Sequence, residues 1–334
     1  MMKKVLLITA ALILAISCSG SPTDPNDTGD GGLIDEGSGI TDPNQISAFL
    51  NNHQGRYYSE SSENGITSRY IDYRIEGSKI YEEKSTTEMQ GSKTLSGNKL
   101  QVEIIGNPSA SSDYERNSYM TIFNFSDSSI KVFQKLIFSK DNFSGISGYQ
   151  IIGTFNGLKK YAGNYYQYQS SSGVIEKAYF FTIDSSGNIY VEQSMASEIK
   201  CSVNGDELTL DFTGGAYKCI FQENRAIVSI FENGTEQSVT SKKSDLLTPY
   251  VGTYSYNNNE ITLTVSEADA VITSTTITLN NPTAILNGSN LIIYAHTYEN
   301  STLKVEEHKI TFSEDKTTAD YTKPDGSKVT LTKS

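Results

Sequence analysis

Three histidines are the residues of this sequence best suited to metal binding, and two of them could come together. His296 and His308 lie on neighbouring predicted strands, and Glu306 or Glu307 could complete a set of metal ligands with them. His53 stands apart, near the start of the chain. Isolated histidines and carboxylates are more often polar surface groups. We therefore predict no metal site and no cofactor.

The sequence contains none of the familiar catalytic signatures. It has no Gly-x-Ser-x-Gly nucleophile elbow, no phosphate-binding loop, no Cys-x-x-Cys pair and no His-Glu-x-x-His zinc motif. Adjacent carboxylates such as Glu82 and Glu83 point to opposite faces of a strand, so they cannot form a close acid–base pair. We interpret them as solvated edge residues, and we predict that the protein is not an enzyme and has no catalytic residue.

Tyrosine is the side chain most suited to binding, because the chain has 21 tyrosines and no tryptophan. A tyrosine ring offers rigid, amphipathic contact area and is common in binding surfaces. The candidate binding residues are Tyr57, Tyr58, Tyr70 and Tyr73, which cluster early in the chain. The alternative is that half of the tyrosines face a core and the others cover strand edges.

Two cysteines, Cys201 and Cys219, could form a disulfide in an exported protein. They fall on predicted strands at about 198–203 and about 216–222, with another strand at about 207–212 between them. The first and third strands of a meander lie roughly 9–10 Å apart, whereas a disulfide needs Cα atoms within about 7 Å. A bulge could still bring them together, so a disulfide and two buried thiols both remain open.

The first residues of the chain are typical of a bacterial secretory signal. After a positively charged start, residues 5–16 form an apolar run that is too short to span a hydrocarbon core of roughly 30 Å. The end of this run resembles the lipobox of bacterial lipoproteins, Ala15-Ile16-Ser17-Cys18, in which the cysteine receives a diacylglycerol. The resemblance implies that residues 1–18 are a lipoprotein signal peptide and that a lipid on Cys18 is the membrane anchor.

Localisation and charge limit the partners that we expect. Ser19 stands where an aspartate would signal inner-membrane retention, so the lipoprotein resemblance implies the outer membrane of a cell envelope, on its periplasmic or its surface face. The formal net charge is −12, which repels phosphate backbones and excludes nucleic acid as a partner. The predicted partners are the membrane, through the lipid on Cys18, and either a small apolar ligand or an envelope or host protein.

The remainder of the chain predicts an all-β architecture. Residues 19–42 are acidic and rich in Gly and Pro, which predicts a flexible tether. After the tether, an apolar helical turn followed by Gly-x-Tyr and a strand occurs three times. In the first of these, Asp42 as the cap and Pro43 at the first helical position predict the start of a helix. Alternating apolar residues and glycine-containing turns predict about eight strands after each occurrence. We therefore predict three successive small β domains, at 43–155, 156–243 and 244–334.

A short helical turn and Gly-x-aromatic at the start of an eight-stranded meander resemble the lipocalin (calycin) superfamily, in particular the lipocalin-like domains of bacterial lipoproteins. Tyr57, Tyr165 and Tyr254 stand where that family has tryptophan. The resemblance implies small antiparallel barrels with the aromatic residue at the closed end, and we expect the glycine to let the helical turn approach the first strand. Immunoglobulin-like β-sandwiches are the alternative architecture.

These features predict a lipid-anchored envelope protein with a non-catalytic binding role. The alternative is a structural or antigenic surface lipoprotein, or an inhibitor of host hydrolases, without a small-molecule ligand. Barrels of eight short strands leave an interior barely wide enough for side chains. The first and longest copy is therefore the most promising place for a ligand.

Overall fold

The computed structural model describes residues 31–35, 37–63, 65–83, 85–171, 173–274, 279, 282–299 and 302–334. The predicted signal peptide, Cys18 and residues 19–30 of the predicted tether lie outside them. The described part is an all-β protein, as predicted, and its strands pair antiparallel in two sheets. Within that part, no helix is long and apolar enough to cross a membrane.

The first seven strands and one much later strand form the first barrel. Helix α1 (Pro43–Asn52) begins as predicted, with Pro43 in the first turn and the Asp42 carboxylate accepting a hydrogen bond from Asn44 N at 2.9 Å. A second, short helix, α2 (Asp113–Arg116), precedes the sixth strand. The strands are β1 (Gly55–Glu63), β2 (Ile66–Glu76), β3 (Lys79–Glu82), β4 (Ser92–Ser96), β5 (Lys99–Ile104), β6 (Tyr119–Phe125), β7 (Ser129–Asp141) and β17 (Val239–Ser244). β17 pairs with both β1 and β7, and no ladder among the described residues joins β3 to β4, so this barrel is nearly closed.

The second barrel shares β7 with the first. Residues 136–139 of β7 pair with β15, and residues 139–141 pair with β9. Its other elements are β8 (Tyr149–Thr154), a 3₁₀ turn (Asn156–Tyr161), β9 (Gly163–Ser171), β10 (Val174–Ile183), β11 (Asn188–Glu192), α3 (Gln193–Ala196), β12 (Lys200–Asn204), β13 (Glu207–Phe212), β14 (Gly215–Gln222), β15 (Arg225–Glu232) and β16 (Thr235–Glu236). Strand pairing therefore crosses the predicted boundary between residues 155 and 156.

The third barrel consists of the last eight strands in chain order. A 3₁₀ turn (Thr248–Tyr250) precedes β18 (Gly252–Tyr256), β19 (Ile261–Val265), β20 (Ala270–Ser274), β21 (Thr283–Asn287), β22 (Asn290–Glu299), β23 (Thr302–Phe312), β24 (Thr318–Thr322) and β25 (Lys328–Lys333). β25 pairs back onto β18, which leaves β20 and β21 as the two edges of a nearly closed barrel. This part of the chain is a barrel and not a sandwich.

Each Gly-x-Tyr motif opens a strand, and its tyrosine belongs to a barrel core. The three tyrosine side chains have no exposed surface. Each hydroxyl donates a hydrogen bond to the carbonyl oxygen four residues earlier: Tyr57 to His53 at 2.7 Å, Tyr165 to Tyr161 at 2.6 Å and Tyr254 to Tyr250 at 3.1 Å. The hydroxyl thus satisfies a carbonyl at the end of the helical turn, where no later helical amide is available.

The same position in each barrel is also surrounded by equivalent apolar residues. A fully buried leucine lies seven residues before each tyrosine: Leu50, Leu158 and Leu247. One phenylalanine, from the end of a strand, packs against each tyrosine ring: Phe125, Phe221 and Phe312, at centroid distances of 6.4, 5.3 and 5.3 Å. The sequence motif therefore marks one packing unit that occurs three times.

The glycine of the motif serves a different contact from the predicted one. A Cβ atom on Gly55 would lie 3.0 Å from the carbonyl oxygen of Ser244 on β17. A Cβ atom on Gly163 would lie 2.6 Å from the carbonyl oxygen of Asp141 on β7. The missing side chain thus admits the neighbouring strand that completes the barrel wall, and not the helical turn.

The first barrel covers the edge strand β21 of the third barrel. The Ser244 hydroxyl donates to the carbonyl oxygen of Leu286 at 2.9 Å, and the Leu286 amide donates to the same hydroxyl at 3.0 Å. The buried guanidinium of Arg56 donates to the carbonyl oxygen of Ala284 on the same strand. Partners supplied by another barrel thus satisfy backbone groups that an edge strand would otherwise expose.

Residues 31–35 and 37–42, which the sequence predicts as part of a flexible tether, contact the first barrel. Leu33 packs on an apolar cluster formed by Met120, Ile122, Phe133, Ile137 and Ile227. Ile40 forms a β-bridge with Leu95, and Lys99 Nζ donates to Gly32 O at 2.9 Å. The local composition does not reveal these contacts, because the partners come from distant strands.

Candidate functional site

The inward-facing side chains of β6 connect the two ends of the first barrel. Alternate residues of a strand share a face, so Phe125, Phe123, Thr121 and Tyr119 all point into this barrel. Phe125 packs edge-on against Phe49 of α1, with ring centroids 5.1 Å apart. Tyr119 begins the strand and therefore lies at the opposite end of the barrel, which we call the far end.

A carboxylate and three tyrosines meet at the far end. The hydroxyl oxygens of Tyr114 and Tyr119 lie 3.0 and 3.5 Å from Glu82 Oε1. They also contact each other, and because each phenol carries one proton, one hydroxyl donates to Glu82 and the other donates either to Glu82 or to its neighbour. Tyr73 is the cross-strand partner of Glu82 and packs edge-on against Phe123, with ring centroids 5.0 Å apart. We call Tyr73, Glu82, Tyr114 and Tyr119 the Tyr–Glu cluster.

Local sequence features place the members of this cluster. Glu82 follows the buried core residue Ile80 by two positions on β3, so both side chains face inward. Tyr114 lies on α2, where the Ser112 hydroxyl accepts a hydrogen bond from Glu115 N at 3.2 Å as an N-cap. The buried side chain of Arg116 fixes the preceding loop by donating to its backbone carbonyls.

The cluster has an unusual electrostatic environment. Burial raises the pKa of Glu82, and the carboxylate of Glu83 raises it further, while the hydrogen bonds from Tyr114 and Tyr119 oppose this change. Burial, followed by the proximity of Glu82, raises the pKa of Tyr73 and of both other tyrosines. The three phenols therefore remain neutral hydroxyls, and Glu82 is the acceptor that faces Tyr114 and Tyr119.

Two hydroxyls beside the cluster lack protein partners. Thr121 has no exposed surface, and its Oγ1 atom has no hydrogen-bond partner among the residues that the structure describes. The hydroxyl of Tyr73 also makes no hydrogen bond within that part of the chain, and its side chain is only partly buried. A buried polar group without a partner costs about 1–3 kcal/mol. The buried Thr121 hydroxyl is therefore a natural contact for a bound polar molecule.

The four predicted binding tyrosines occupy different environments. Tyr57 lies in the barrel core, and Tyr58 is partly buried where β1 pairs with β17. Tyr70 is 40 % exposed and stacks on His296 of the third barrel, with ring centroids 5.2 Å apart. Of the four, only Tyr73 joins the Tyr–Glu cluster.

Glu82, Tyr114 and Tyr119 were not among the predicted site residues. The interpretation of Glu82 as a solvated edge residue is wrong, because its side chain is partly buried and lies within hydrogen-bonding distance of two tyrosine hydroxyls. The two-residue spacing from Ile80 was the available signal for its inward direction. Tyr119 has the same spacing relation to Phe123 and Phe125 on β6.

The two histidines of the third barrel do not meet. His308 pairs with the core residue Ile293 across β22 and β23, and its Nδ1 atom lies 2.6 Å from the Tyr321 hydroxyl inside the barrel. His296 is an odd number of residues from Ile293 and therefore faces outward, against Tyr70. The expectation that they could share a face is wrong. Among the described residues, no group of three or more His, Cys, Asp or Glu side chains could hold a metal ion.

The two cysteines lie on strands that the sequence placed correctly. Cys201 is on β12 and Cys219 is on β14, with β13 paired between them. Both are free thiols in the structure, and burial raises the pKa of each. The intervening strand explains why no disulfide links them here.

Comparisons with known proteins give no match: no family model, no curated protein and no solved structure matches this chain. The lipoprotein and lipocalin resemblances therefore stay predictions. The Tyr–Glu cluster combines one carboxylate with three phenols and lies beside a buried hydroxyl that lacks a partner among the described residues.

Proposed function

We propose that this chain is a lipid-anchored, non-catalytic binding protein of a bacterial cell envelope, and that it binds a small molecule at the far end of the first barrel. The observation that supports this proposal is the Tyr–Glu cluster. It lines the inner face of the first barrel at the end opposite α1, next to a buried hydroxyl that lacks a protein partner.

The packing of the other barrel interiors supports the choice of this site. Large buried side chains occupy the second core, including Phe181 and Tyr165, and the third core, including Tyr254 and Tyr321. In the first barrel, Tyr57 and Phe125 fill the end next to α1 in the same way, which leaves the far end as the part lined by polar groups. Two surface clefts, of about 530 and 380 Å³, lie at the β14–β15 turn and between Gln54 and Pro249, outside the barrel interiors. The far end of the first barrel is favoured over the other barrel interiors and the two clefts, because its inward-facing polar groups can contact a ligand.

A protein partner is the second candidate, and the β9–β10 hairpin favours it. Val174 is 65 % exposed and Ile175 is 43 % exposed at the start of β10. Exposed apolar residues on a projecting hairpin are suited to contact with another protein. An envelope protein that binds there would not need the Tyr–Glu cluster.

A thermal-shift screen of small molecules against the purified full chain tests the binding proposal. Ligands of the far end should raise the melting temperature of the wild-type chain, and this increase should shrink in Glu82→Gln and Tyr73→Phe. The matched control is Tyr190→Phe, which changes a tyrosine whose hydroxyl donates to Asp184 on the second barrel. A screen in which every ligand shifts all four chains equally would contradict a site at the Tyr–Glu cluster.

Metabolic labelling tests the proposed anchor. The full chain should take up labelled palmitate and partition into detergent, because the residues around Cys18 resemble a lipobox. Cys18→Ala should do neither. Label in the Cys18→Ala protein would remove the anchor from the proposal without affecting the proposed binding site.

A further inference from the structure

We propose that the far end of the first barrel recognises a small organic ammonium ion, with Glu82 as the counter-charge and Tyr73, Tyr114 and Tyr119 as its aromatic surroundings. This inference rests on the proposed function and specifies the ligand class for the same site. The first argument is charge. Glu82 is the acceptor at the centre of the cluster, and Glu83 and Asp72 lie close enough to interact electrostatically with the residues around it.

The second argument is the arrangement of the aromatic rings. Tyr114 and Tyr119 lie with ring centroids 4.8 Å apart, and both of their hydroxyls point to the Glu82 carboxylate. Tyr73 reaches the same carboxylate region from the neighbouring strand. Because the hydroxyl ends of Tyr114 and Tyr119 meet at Glu82, their oxygen atoms can accept hydrogen bonds from a cation beside the carboxylate. A carboxylate among three tyrosines therefore favours a cation over an anion or a purely apolar ligand.

The third argument is the pair of hydroxyls that lack partners. The Thr121 hydroxyl is fully buried on the inward face of β6, between Phe123 and Tyr119, and has no hydrogen-bond partner within the described residues. The Tyr73 hydroxyl is likewise without a partner there. An ammonium group with N–H donors can satisfy such oxygen acceptors, whereas a quaternary ammonium group cannot. The favoured ligand is therefore a primary alkylammonium whose short apolar tail contacts the ring of Phe123.

Three molecules with one carbon skeleton separate charge from apolar contact. Isothermal titration calorimetry of the purified full chain should detect binding of n-butylammonium, and n-butanol should bind at least about tenfold more weakly because it cannot form a charge-assisted hydrogen bond. Butanoate should not bind, because its charge repels Glu82. In Glu82→Gln, the affinity for n-butylammonium should fall about tenfold, to the level of n-butanol.

Two further variants control for folding and for location. Tyr73→Phe removes a hydroxyl that makes no protein hydrogen bond among the described residues, so this variant should fold normally yet bind n-butylammonium about threefold more weakly. Tyr190→Phe should bind it like the wild-type chain. Circular dichroism and thermal unfolding would establish that each variant is folded.

Two results would overturn the ammonium inference. The first is equal affinity for n-butylammonium and n-butanol, with both weakened by Tyr73→Phe. That result would keep the site and the proposed function, and it would show that charge is not recognised. The second is the absence of n-butylammonium binding. If the thermal-shift screen also finds no ligand that depends on Glu82 or Tyr73, the proposed function fails as well.

Discussion

Replacing Arg56 with methionine should weaken the attachment of the third barrel to the first. The guanidinium of Arg56 is fully buried and donates to the carbonyl oxygens of Ala284 and Ala268, both of which belong to the third barrel. Arg56→Met keeps much of the side-chain volume but removes every donor. It therefore tests whether these hydrogen bonds hold the two barrels together.

The expected size of the effect follows from two opposing contributions. Each hydrogen bond from a charged donor is worth about 1.5–3 kcal/mol, so the pair contributes roughly 3–6 kcal/mol. Burial opposes this, because it lowers the pKa of Arg56 from 12.5 to about 10, with Asp269 acting in the other direction. At about 1.4 kcal/mol per pKa unit, that decrease costs roughly 3 kcal/mol. We therefore expect Arg56→Met to lower the free energy of unfolding by about 2 kcal/mol.

Chemical denaturation of the full chain measures this loss, and hydrogen exchange locates it. The Leu286 amide, which donates to Ser244 at the same junction, should exchange faster in Arg56→Met. Lys177→Met is the control, because Lys177 is partly exposed in an ion pair with Asp141 in the second barrel and its loss should cost less than about 1 kcal/mol. Equal losses in the two variants, with unchanged exchange at Leu286, would refute the reasoning.

Three further predictions concern the barrels themselves. Burial lowers the pKa of His308, with Glu306 opposing it, so the unfolded chain binds more protons at this site than the folded chain as the pH falls below about 6.5. The stability of the wild-type chain measured by denaturation should therefore decrease from pH 7 to 5 by up to about 2 kcal/mol more than that of His308→Phe. Circular dichroism should show that fragment 244–334 is folded and that fragment 156–243 is unfolded. Fragment 156–243 contains most of the second barrel but lacks its strands β7 and β8. Tyr165→Phe should lose about 1 kcal/mol of stability in chemical denaturation, because it removes the hydrogen bond to the Tyr161 carbonyl.

Distinct outcomes would contradict each of these predictions. A parallel pH dependence of the wild type and His308→Phe would show that this imidazole is not held neutral by burial. A cooperatively unfolding fragment 156–243 would show that its core does not need the shared strand. An unchanged stability in Tyr165→Phe would show that water replaces the hydroxyl at the Tyr161 carbonyl without loss.

Local patterns in the sequence were sufficient to predict much of the fold. Asp42 and Pro43 indicated the start of α1, and the Gly-x-Tyr motif indicated the first strand in each of three places. Two-residue alternation also placed Cys201 and Cys219 on strands separated by one other strand. These features depend on residues that are close together in the chain, so they can be predicted from the sequence alone.

The pairing between distant segments could not be predicted in the same way. β17 follows the second barrel in the chain but completes the first, and β7 contributes to both. Nothing in the residues 239–244 distinguishes a strand that pairs with its neighbour from one that returns across the molecule. The contacts of Leu33 and Ile40 were missed for the same reason.

The candidate site was only partly predictable. The clustering of tyrosines predicts Tyr73 as a binding residue, whereas the adjacent carboxylates Glu82 and Glu83 indicate a solvated strand. The direction of the Glu82 side chain follows from its spacing to Ile80, but its partner Tyr114 belongs to a short helix 32 residues later in the chain. The spacing of residues on one strand predicts a face, and it does not predict which distant side chains will meet there.

Photocrosslinking in the cells that produce the protein tests most directly whether the far end of the first barrel binds a small molecule. The full chain would carry p-azidophenylalanine in place of Tyr73 or, as a control, in place of Tyr190. After irradiation, intact-mass measurement should show a small-molecule adduct for the substitution at Tyr73 and none for that at Tyr190. Protein-sized adducts, or the same adducts from both positions, would contradict a ligand site at the Tyr–Glu cluster.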